Sequence, residues 1–248
     1  MTHIRQQYSE KYLQGRGVEF GALHNPLHTP KQSQVLYADR FSKEELIRRF
    51  PELAEYAKAI VTTDIRLDLD CADFSSLIEY RFDFFIANHV IEHLTNPIRF
   101  LKQIHDVMKE GAILYLAVPD KNYTFDKNRK RTTNEHLWRD YEGGETELSI
   151  DHLNDFILNI TKDHIEPERK KKMYFKNDAL PLNWFRKRSI YQLHRKRSIH
   201  VHVWDQKTFD EFLHCTTEKL ELKFTIIDSS RSDNNESNEM IYILKKNS

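Results

Sequence analysis

"YRFDFFIANHVIEHLTNPIRFLKQIHDVMKEGAILYLAVP", residues 80–119, contains the pattern that decides the fold. Its first ten residues form a continuous aromatic and aliphatic run, as expected of a strand that is buried on both faces. Residues 96–111 then predict a helix, with Asn96 as the N-cap and Pro97 at the first helical position. Residues 112–119 form a second buried run. This strand–helix–strand alternation predicts a parallel sheet that helices cover on both sides.

The sequence on either side of this stretch continues the alternation. Residues 16–22, 33–40 and 62–70 predict three further strands, and a capping box beginning at Ser42 predicts a helix over residues 42–60. Two apolar segments joined by a polar loop follow near the C-terminus and predict a hairpin. The predicted fold class is therefore α/β and Rossmann-like, with a mostly parallel sheet and an antiparallel terminal hairpin.

A polar and partly basic segment interrupts this pattern between residues 120 and 203. We expect it to form a helical and loop cap insertion that binds the acceptor, while residues 1–119 and 204–248 form the core. The cap contains "RKRSI" twice, at 186–190 and 195–199. These repeats are typical of a solvated basic helix face, or alternatively of a binding site for a phosphate or another anion.

Composition narrows the functional classes. Of the 248 residues, 39% are hydrophobic and 31% charged, with 38 basic and 38 acidic residues, so the overall charge favours neither a nucleic-acid nor a membrane partner. The two cysteines, Cys71 and Cys215, make no disulfide framework. No stretch is long and apolar enough to predict a transmembrane segment or a secretory leader. These features together predict a cytoplasmic protein.

The predicted strand ends indicate a nucleoside site, because ligands of such sheets bind beyond the carboxyl ends of the strands. Gly21 permits close backbone approach to a ligand. Asp39, at the end of the second strand, can accept both hydroxyls of a ribose. The loop at Gly21 contains one glycine and no clear pyrophosphate cradle. A nucleoside without phosphates is therefore favoured, and S-adenosylmethionine fits that description.

Residues 89–93, "HVIEH", follow the H-x-x-E-H order of one group of zinc peptidases. A peptidase needs both histidines on an uninterrupted helix. Here a strand precedes the motif and Pro97 opens a new helix, so the context argues against a peptidase. The motif then has two interpretations: a base with positioning groups, or ligands of a metal.

Several stretches closely resemble a bacterial family of class I S-adenosylmethionine-dependent methyltransferases, whose members often occur with enzymes of cell-surface glycan biosynthesis. The resemblance extends from about residue 15 to about residue 213. It implies a seven-stranded sheet whose final hairpin carries the antiparallel strand. The stretches that carry it are "GVEFGALHNPL", "YADRFSKEELIRRFPEL", "FDFFIANHVIEHLTNPIRFLKQIHDVMKEGAILYLAVPDKNYTFD", "TTNEHLWRDYEGG" and "HVHVW".

The resemblance also implies a set of cofactor-binding residues. Asp39 matches the ribose-binding acid, and Asp70 with Cys71 matches the pair that holds adenine, although Asp68 could take the place of Asp70. This subfamily has Ala22 to Asn25 where the wider superfamily has more glycines. The implied cofactor-binding residues are Glu19, Gly21, Asp39, Asp70, Cys71, Asn88 and His89.

For the reaction we expect in-line transfer to an oxygen of a sugar, glycan or phosphorylated glycan precursor, with His89, Glu92 and His93 as catalytic residues. Related O-methyltransferases carry E-x-x-E-H at this place and bind a divalent metal. A metal is therefore possible here but not favoured, because His89 replaces the first Glu. The residues expected to bind the acceptor are Asp120, Lys121, Tyr123, Asp126, Arg129, His136, His200 and Trp204. The alternatives are a non-catalytic S-adenosylmethionine-binding protein and a metal-dependent hydrolase.

Overall fold

The structure is a computed structural model that describes residues 3–159, 199–232 and 237–248. Both "RKRSI" repeats, apart from Ile199, lie outside these residues. In the described part of the chain, no helix is long and apolar enough to cross a membrane.

A single seven-stranded sheet forms the centre of the described structure, in the order β3-β2-β1-β4-β5-β7-β6. The first five strands pair in parallel, whereas β7 runs antiparallel to both β5 and β6. The predicted fold class and the antiparallel terminal hairpin are thus confirmed. The strands are β1 Arg16–Phe20, β2 Gln34–Asp39, β3 Ile65–Arg66, β4 Phe84–Asn88, β5 Ile113–Pro119, β6 Phe224–Ser230 and β7 Glu239–Lys246.

Helices pack around this sheet. The α-helices of the described residues are α1 His3–Tyr12, α2 Lys43–Arg49, α3 Pro97–Val107, α4 Asn134–Gly143, α5 Ile150–Asn159 and α6 Gln206–Lys219. Short 3-10 helices span Pro51–Tyr56, Phe74–Tyr80, Ile91–His93 and Lys121–Tyr123.

The structure of α3 follows directly from its sequence. The Asn96 side chain accepts a hydrogen bond from the backbone N–H of Arg99 at 2.9 Å, and Pro97 occupies the first turn, where no N–H is needed. Ile98, Leu101 and Ile104 recur at helical spacing and are buried in the core.

Three predicted elements are shorter in the structure. The helix predicted over residues 42–60 ends as α2 at Arg49, because Pro51 interrupts the hydrogen-bond ladder and a 3-10 helix follows. The strand predicted over residues 62–70 is limited to β3, since Asp68 accepts backbone bonds that begin a turn. β4 begins only at Phe84, after a left-handed residue at position 81.

The strand order reverses between β1 and β4. From β1 the sheet extends to β2 and β3 on one side, and from β4 it extends to β5 and β7 on the other. In open α/β sheets the ligand crevice lies outside the carboxyl ends of the strands at such a reversal. Gly21 and His89, which follow β1 and β4, therefore lie at the predicted crevice.

The described part of the predicted cap has an apolar cluster of its own, formed by Leu153, Phe156, Ile199 and Val201. The chain returns to the core at Trp204, whose carbonyl accepts a hydrogen bond from the backbone N–H of Lys121 at 2.8 Å. This contact closes the insertion beside the end of β5. The assignment of 120–203 as an acceptor-binding cap remains a prediction.

Gly17→Ala tests the packing of β1 against β4. A Cβ at Gly17 would lie 2.0 Å from a ring carbon of the fully buried Phe84. We expect the free energy of unfolding to fall by about 1–3 kcal/mol, measured by urea denaturation. Gly143→Ala, at the end of α4 with 3.5 Å to the nearest atom, is the matched control and should leave stability unchanged or slightly raised. Equal unfolding midpoints for Gly17→Ala and the native protein would contradict this packing.

Candidate active site

The turn after β1 depends on Gly21. Its φ is +61°, a region that residues with a side chain rarely adopt, and its N–H donates to the carbonyl of Ala38 at 2.9 Å. A Cβ there would also lie 3.4 Å from Cγ2 of Val90, which follows β4. The positive φ of this turn therefore favours glycine at this position.

Glu19 fixes the two walls of the crevice relative to each other. Its buried carboxylate accepts hydrogen bonds from the backbone N–H of Leu27 at 3.0 Å and from the side-chain amide of Asn88 at 3.2 Å. Burial raises the pKa of Glu19 to about 7, although these hydrogen bonds oppose the shift. The buried carboxylate of Glu19 thus holds the loop after β1, through Leu27, against the end of β4, through Asn88.

Two acids lie at the next strand ends. Asp39 is half-buried at the end of β2, where its Oδ1 accepts a hydrogen bond from the backbone N–H of Phe41 at 3.0 Å. Asp70 uses its Oδ1 to accept from both the N–H and the hydroxyl of Thr95, each at 2.8 Å. Burial raises the pKa of both carboxyls. Asp70 therefore holds the segment before α3, whatever it also contributes to a ligand.

Cys71 and Asp68 flank Asp70 in different environments. Cys71 is exposed, and its carbonyl accepts a hydrogen bond from the Arg99 guanidinium at 3.0 Å. Asp68 pairs with the exposed Arg40 at 2.9 Å. The choice between Asp68 and Asp70 as the adenine-binding acid stays open.

Residues 89–95, the β4–α3 turn, connect the sheet to α3. His89 has a φ of +51°, which is strained for a residue with a Cβ, and its N–H donates to the carbonyl of Ala117 at 2.9 Å. A three-residue 3-10 helix, Ile91–His93, follows. His89 and His93 therefore do not share an uninterrupted helix, so the peptidase arrangement is absent.

An ion pair behind the turn holds His89. Its Nε2 lies 2.7 Å from Oε2 of Glu239, the first residue of β7, and Arg5 of α1 binds the same carboxylate through Nε at 2.6 Å and through Nη2. Burial disfavours the imidazolium, but the hydrogen bond that His89 donates to Glu239 and the charges of the nearby carboxylates outweigh it and raise the pKa of His89. His89 is thus oriented and biased towards its protonated form.

Glu92 is the most unusual side chain of the turn. It is completely buried, and neither carboxylate oxygen has a hydrogen-bond partner among the described residues. The nearest ring nitrogens are Nδ1 of His89 at 3.5 Å and Nε2 of His93 at 3.7 Å. Because a buried carboxylate without a donor is costly, this position favours a proton donor or a cation beside Glu92.

His93 presents one nitrogen to this carboxylate. Its Nδ1 lies 2.8 Å from the carbonyl of Ile199, an acceptor, so Nδ1 carries the proton and Nε2 keeps its lone pair. Burial lowers the pKa of His93, and the neighbouring His200 lowers it further. His93 is therefore a neutral imidazole at neutral pH, with a basic nitrogen 3.7 Å from Glu92.

His200 approaches His93 from the returning segment of the cap, with ring centroids 4.8 Å apart. Its Nδ1 lies 2.6 Å from Oδ2 of Asp126, whose other oxygen binds Arg129 at 2.9 Å. One ligand atom each of Glu92, His93 and His200 lies within 4.8 Å of the others, so this trio could also hold a cation.

The remaining residues predicted to bind the acceptor have different environments. Lys121 is buried, and its amine donates to the carbonyl of Lys127 at 2.8 Å. Trp204 is fully buried and stacks on Phe212 with ring centroids 5.5 Å apart. The other three are Asp120, which caps a 3-10 helix, Tyr123, which is exposed, and His136, which belongs to a separate cluster.

Sequence reasoning missed Glu239 and Arg5. Glu239 pairs in register with Pro119 at the carboxyl end of β5, because β7 is antiparallel. The predicted terminal hairpin therefore contained a usable signal: the first residue of an antiparallel strand lies at the ligand edge of a parallel sheet. Nothing in the pattern of α1 indicated that Arg5 reaches the same place.

Comparison with known proteins identifies the class. The model of a family described as "Methyltransferase domain" matches residues 10–214. The chain belongs to this methyltransferase domain family. The predicted class is thereby confirmed: this is an enzyme, a methyltransferase. No curated protein matches the chain in sequence.

Several solved structures are similar in fold. A structure from Rhodobacter sphaeroides, named for a putative zinc-dependent alcohol dehydrogenase, is 14% identical to this chain with a TM-score of 0.54. The match covers 98% of this chain and 89% of that structure's chain. An S-adenosylmethionine-dependent methyltransferase from Clostridium acetobutylicum is 8% identical with a TM-score of 0.49, covering 99% and 89%. The CurJ carbon methyltransferase is 14% identical with a TM-score of 0.45, and this chain spans 50% of its length, with 95% of this chain covered. At these identities the likeness concerns the fold alone.

Glu239→Gln tests the ion pair behind His89. Burial opposes the charge of Glu239, but hydrogen bonds from His89 and Arg5 lower its pKa from 4.5 to about 2. The carboxylate therefore stabilises the folded state above the unfolded pKa and loses this effect as pH falls through the folded pKa. We expect the variant to lose about 3 kcal/mol at neutral pH. The deficit should shrink as pH falls from 4.5 to about 2.

Urea denaturation across this pH range measures the effect. The raised pKa of His89 acts in the opposite sense, since its contribution is complete below the unfolded pKa and is lost as pH rises through the folded pKa. The exposed Glu110→Gln is the control and should stay within about 0.5 kcal/mol of the native protein. A deficit for Glu239→Gln that does not change with pH would contradict the assignment.

Proposed function

We propose that this methyltransferase methylates a hydroxyl oxygen of a sugar or glycan, with His93 as the general base. The observation that carries the proposal is the Nε2 lone pair of His93, which lies 3.7 Å from the buried Glu92 carboxylate. A hydroxyl must lose a proton when it becomes an ether. The usual acceptor of that proton is a neutral imidazole whose pKa lies near the operating pH of the enzyme. The sugar class comes from the resemblance of "DKNYTFD" and "HVHVW" to a family that occurs with glycan biosynthesis enzymes.

The residues at the strand ends fit the methyl donor. Bound S-adenosylmethionine supplies a methyl group on a sulfonium, from which an oxygen nucleophile can take it. Asp39 would accept the ribose hydroxyls, while Gly21 leaves room for the methionine part. Asn88 Oδ1 is buried without a hydrogen-bond partner among the described residues, so the donor's ammonium group would satisfy it. Cys71 with Asp70 or Asp68 would hold the adenine.

His93 and Glu92 would together handle the proton that the acceptor hydroxyl loses. His93 Nε2 accepts the proton of the acceptor hydroxyl as the oxygen bonds to the methyl carbon. The Ile199 carbonyl holds the opposite ring N–H, which keeps Nε2 aimed and basic. The Glu92 carboxylate stabilises the imidazolium that forms, because the two groups face each other away from water. His89 stays fixed by Glu239 as a positioning group and as a second wall of the site.

The contacts of Arg129 and Lys121, the two described cations that were predicted to bind the acceptor, favour a neutral hydroxyl over a phosphate-type oxygen. Arg129 has a fully buried guanidinium that binds Asp126, Asp155 and the carbonyls of His200 and Val201. Lys121 donates to a backbone carbonyl. Neither side chain is available to an anionic acceptor. An anion site at the "RKRSI" arginines stays a prediction about residues outside the described ones.

Asp39→Ala tests the donor site. Loss of hydrogen bonds to a charged acceptor costs about 1.5–3 kcal/mol, so affinity should fall about 10–100-fold. Calorimetry with S-adenosylmethionine and with its demethylated product measures this change. Asp106→Ala removes an exposed carboxylate of α3 and should bind as the native protein does. Unchanged affinity in Asp39→Ala would exclude this residue from the site.

His93→Gln tests the base. Glutamine can still donate to the Ile199 carbonyl but offers no basic nitrogen, so kcat should fall about 10²–10⁴-fold while donor affinity is kept. The exposed His214→Gln serves as the control. Native turnover in His93→Gln would remove His93 from the reaction.

The acceptor is identified with a panel of sugars, nucleotide sugars and phosphorylated sugars, using mass spectrometry to detect the gain of one methyl group. We expect transfer to a hydroxyl of an unphosphorylated ring or chain. Transfer only to a phosphate-type oxygen would contradict the proposed base chemistry. Donor binding without turnover on any member would favour the non-catalytic alternative.

A further inference from the structure

A second cluster of titratable side chains lies in the cap, apart from the β4–α3 turn. Nε2 of His136 is 2.9 Å from Nε2 of His152, and Oδ2 of Asp140 is 2.9 Å and 3.3 Å from these two nitrogens. With His202 they form a group of four whose ligand atoms all lie within 4.8 Å of one another. The proposed methyl transfer uses none of these four side chains.

The cluster leaves a polar atom unsatisfied. His202 Nδ1 is buried without a hydrogen-bond partner among the described residues, and the His202 side chain is completely excluded from solvent. Burial of such an atom without a partner is unfavourable. In addition, the facing nitrogens of His136 and His152 are atoms of the same kind, so at most one of them can donate to the other.

We propose that His136, Asp140, His152 and His202 bind one divalent ion of the zinc class. Three imidazoles and one carboxylate are borderline ligands typical of Zn²⁺, whereas Mg²⁺ and Ca²⁺ prefer sites made of oxygen. Tetrahedral bonds of about 2.0–2.1 Å place ligand atoms about 3.3 Å apart. The observed separations of 2.9 Å and 3.3 Å among His136, Asp140 and His152 reach this geometry after shifts of a few tenths of an ångström. The ligand atom of His202 lies within 4.8 Å of the other three and has further to move.

The surroundings of His202 match those of a metal ligand. Its Nε2 lies 3.3 Å from the carbonyl of Thr95, an acceptor, so the ring proton sits on Nε2 and Nδ1 offers its lone pair to the cluster. Ligating histidines commonly donate their other N–H to a backbone carbonyl in this way. Such a bond fixes both the tautomer and the orientation of the ring.

The helix positions also fit. His136 and Asp140 are four residues apart on α4, so both project from one face. When His136 binds through Nε2, its Nδ1 is protonated and no longer accepts from the exposed Arg139, now 3.1 Å away. The 3.4 Å contact from the Ser149 N–H to Nδ1 of His152 is lost for the same reason. Both contacts are peripheral, and Arg139 is free to turn into solvent.

The site would be structural rather than catalytic, because four protein ligands leave no open position. The ligands come from α4, α5 and the segment at His202. That segment also donates two backbone hydrogen bonds, from Val201 and His202, to the carbonyl of Glu92 at 2.7 Å and 3.1 Å. The ion would therefore hold the cap against the β4–α3 turn, and this inference stands independently of the proposed acceptor and base.

Metal content of the purified full chain tests the proposal. After overexpression and dialysis against metal-free buffer, we expect inductively coupled plasma mass spectrometry to find one zinc per chain. Asp140→Asn and His152→Gln should each lower zinc occupancy at least tenfold. Glu92→Gln, in the neighbouring trio, and Arg139→Ala should both retain one zinc per chain. Equal zinc retention by all four variants, or no zinc in the native chain, would overturn the assignment.

A measurement on the native protein keeps the test decisive if the ligand variants do not fold. X-ray absorption of the zinc-loaded chain should give four nitrogen or oxygen neighbours at about 2.0–2.1 Å, three of them with the outer-shell scattering of imidazole. Addition of zinc to the chelated protein should also raise the unfolding temperature. A six-oxygen shell, or an unfolding temperature that zinc does not change, would contradict the site.

Discussion

The buried Glu92 is the group on which the candidate site depends. Its carbonyl accepts the N–H groups of Val201 and His202, and its carboxylate lies between His89 and His93. One residue thus joins the cap to the core through its backbone and sets the electrostatics of the site through its side chain. Since this carboxylate accepts no hydrogen bond from the part of the chain that the structure describes, its charge acts on the proton or cation that comes beside it.

The pKa values of the two histidines of the motif shift in opposite directions. His89 lies between Glu239 and Glu92, and these acids raise its pKa despite burial. His93 faces only one carboxylate and has His200 beside it, so burial dominates and lowers its pKa. One histidine of the H-x-x-E-H motif is therefore a fixed, cation-favouring group, and the other is a neutral imidazole. Such a separation of pKa values identifies acid and base roles more directly than the motif does.

The sheet was predictable because its signals are local. The buried runs, the capped helix α3 and the terminal hairpin each follow from periodicity within about 20 residues. Gly21 and Asp39 could be placed from strand ends alone. The boundaries that failed, such as the end of α2 and the length of β3, depend on single turn-forming residues. Periodicity alone does not report these residues reliably.

The groups around the histidines were harder to predict, because they come from distant parts of the chain. Arg5 and Glu239 are 234 residues apart, and only the antiparallel pairing of β7 with β5 brings Glu239 to the ligand edge. Similarly, His152 and His202 carry no periodic signal that relates them to α4. Arg129 looked like an acceptor-binding cation, but Asp126 and Asp155 engage it completely.

The proposed role of His93 as the base requires a lone pair on Nε2 at neutral pH. Nitrogen-15 NMR of the imidazole side chains measures this most directly, with the His93→Gln spectrum providing the assignment. The structure predicts a neutral ring for His93 with the proton on Nδ1, as its 2.8 Å contact with the Ile199 carbonyl requires. A proton on Nε2, or a doubly protonated ring at neutral pH, would contradict the role of His93 as the base.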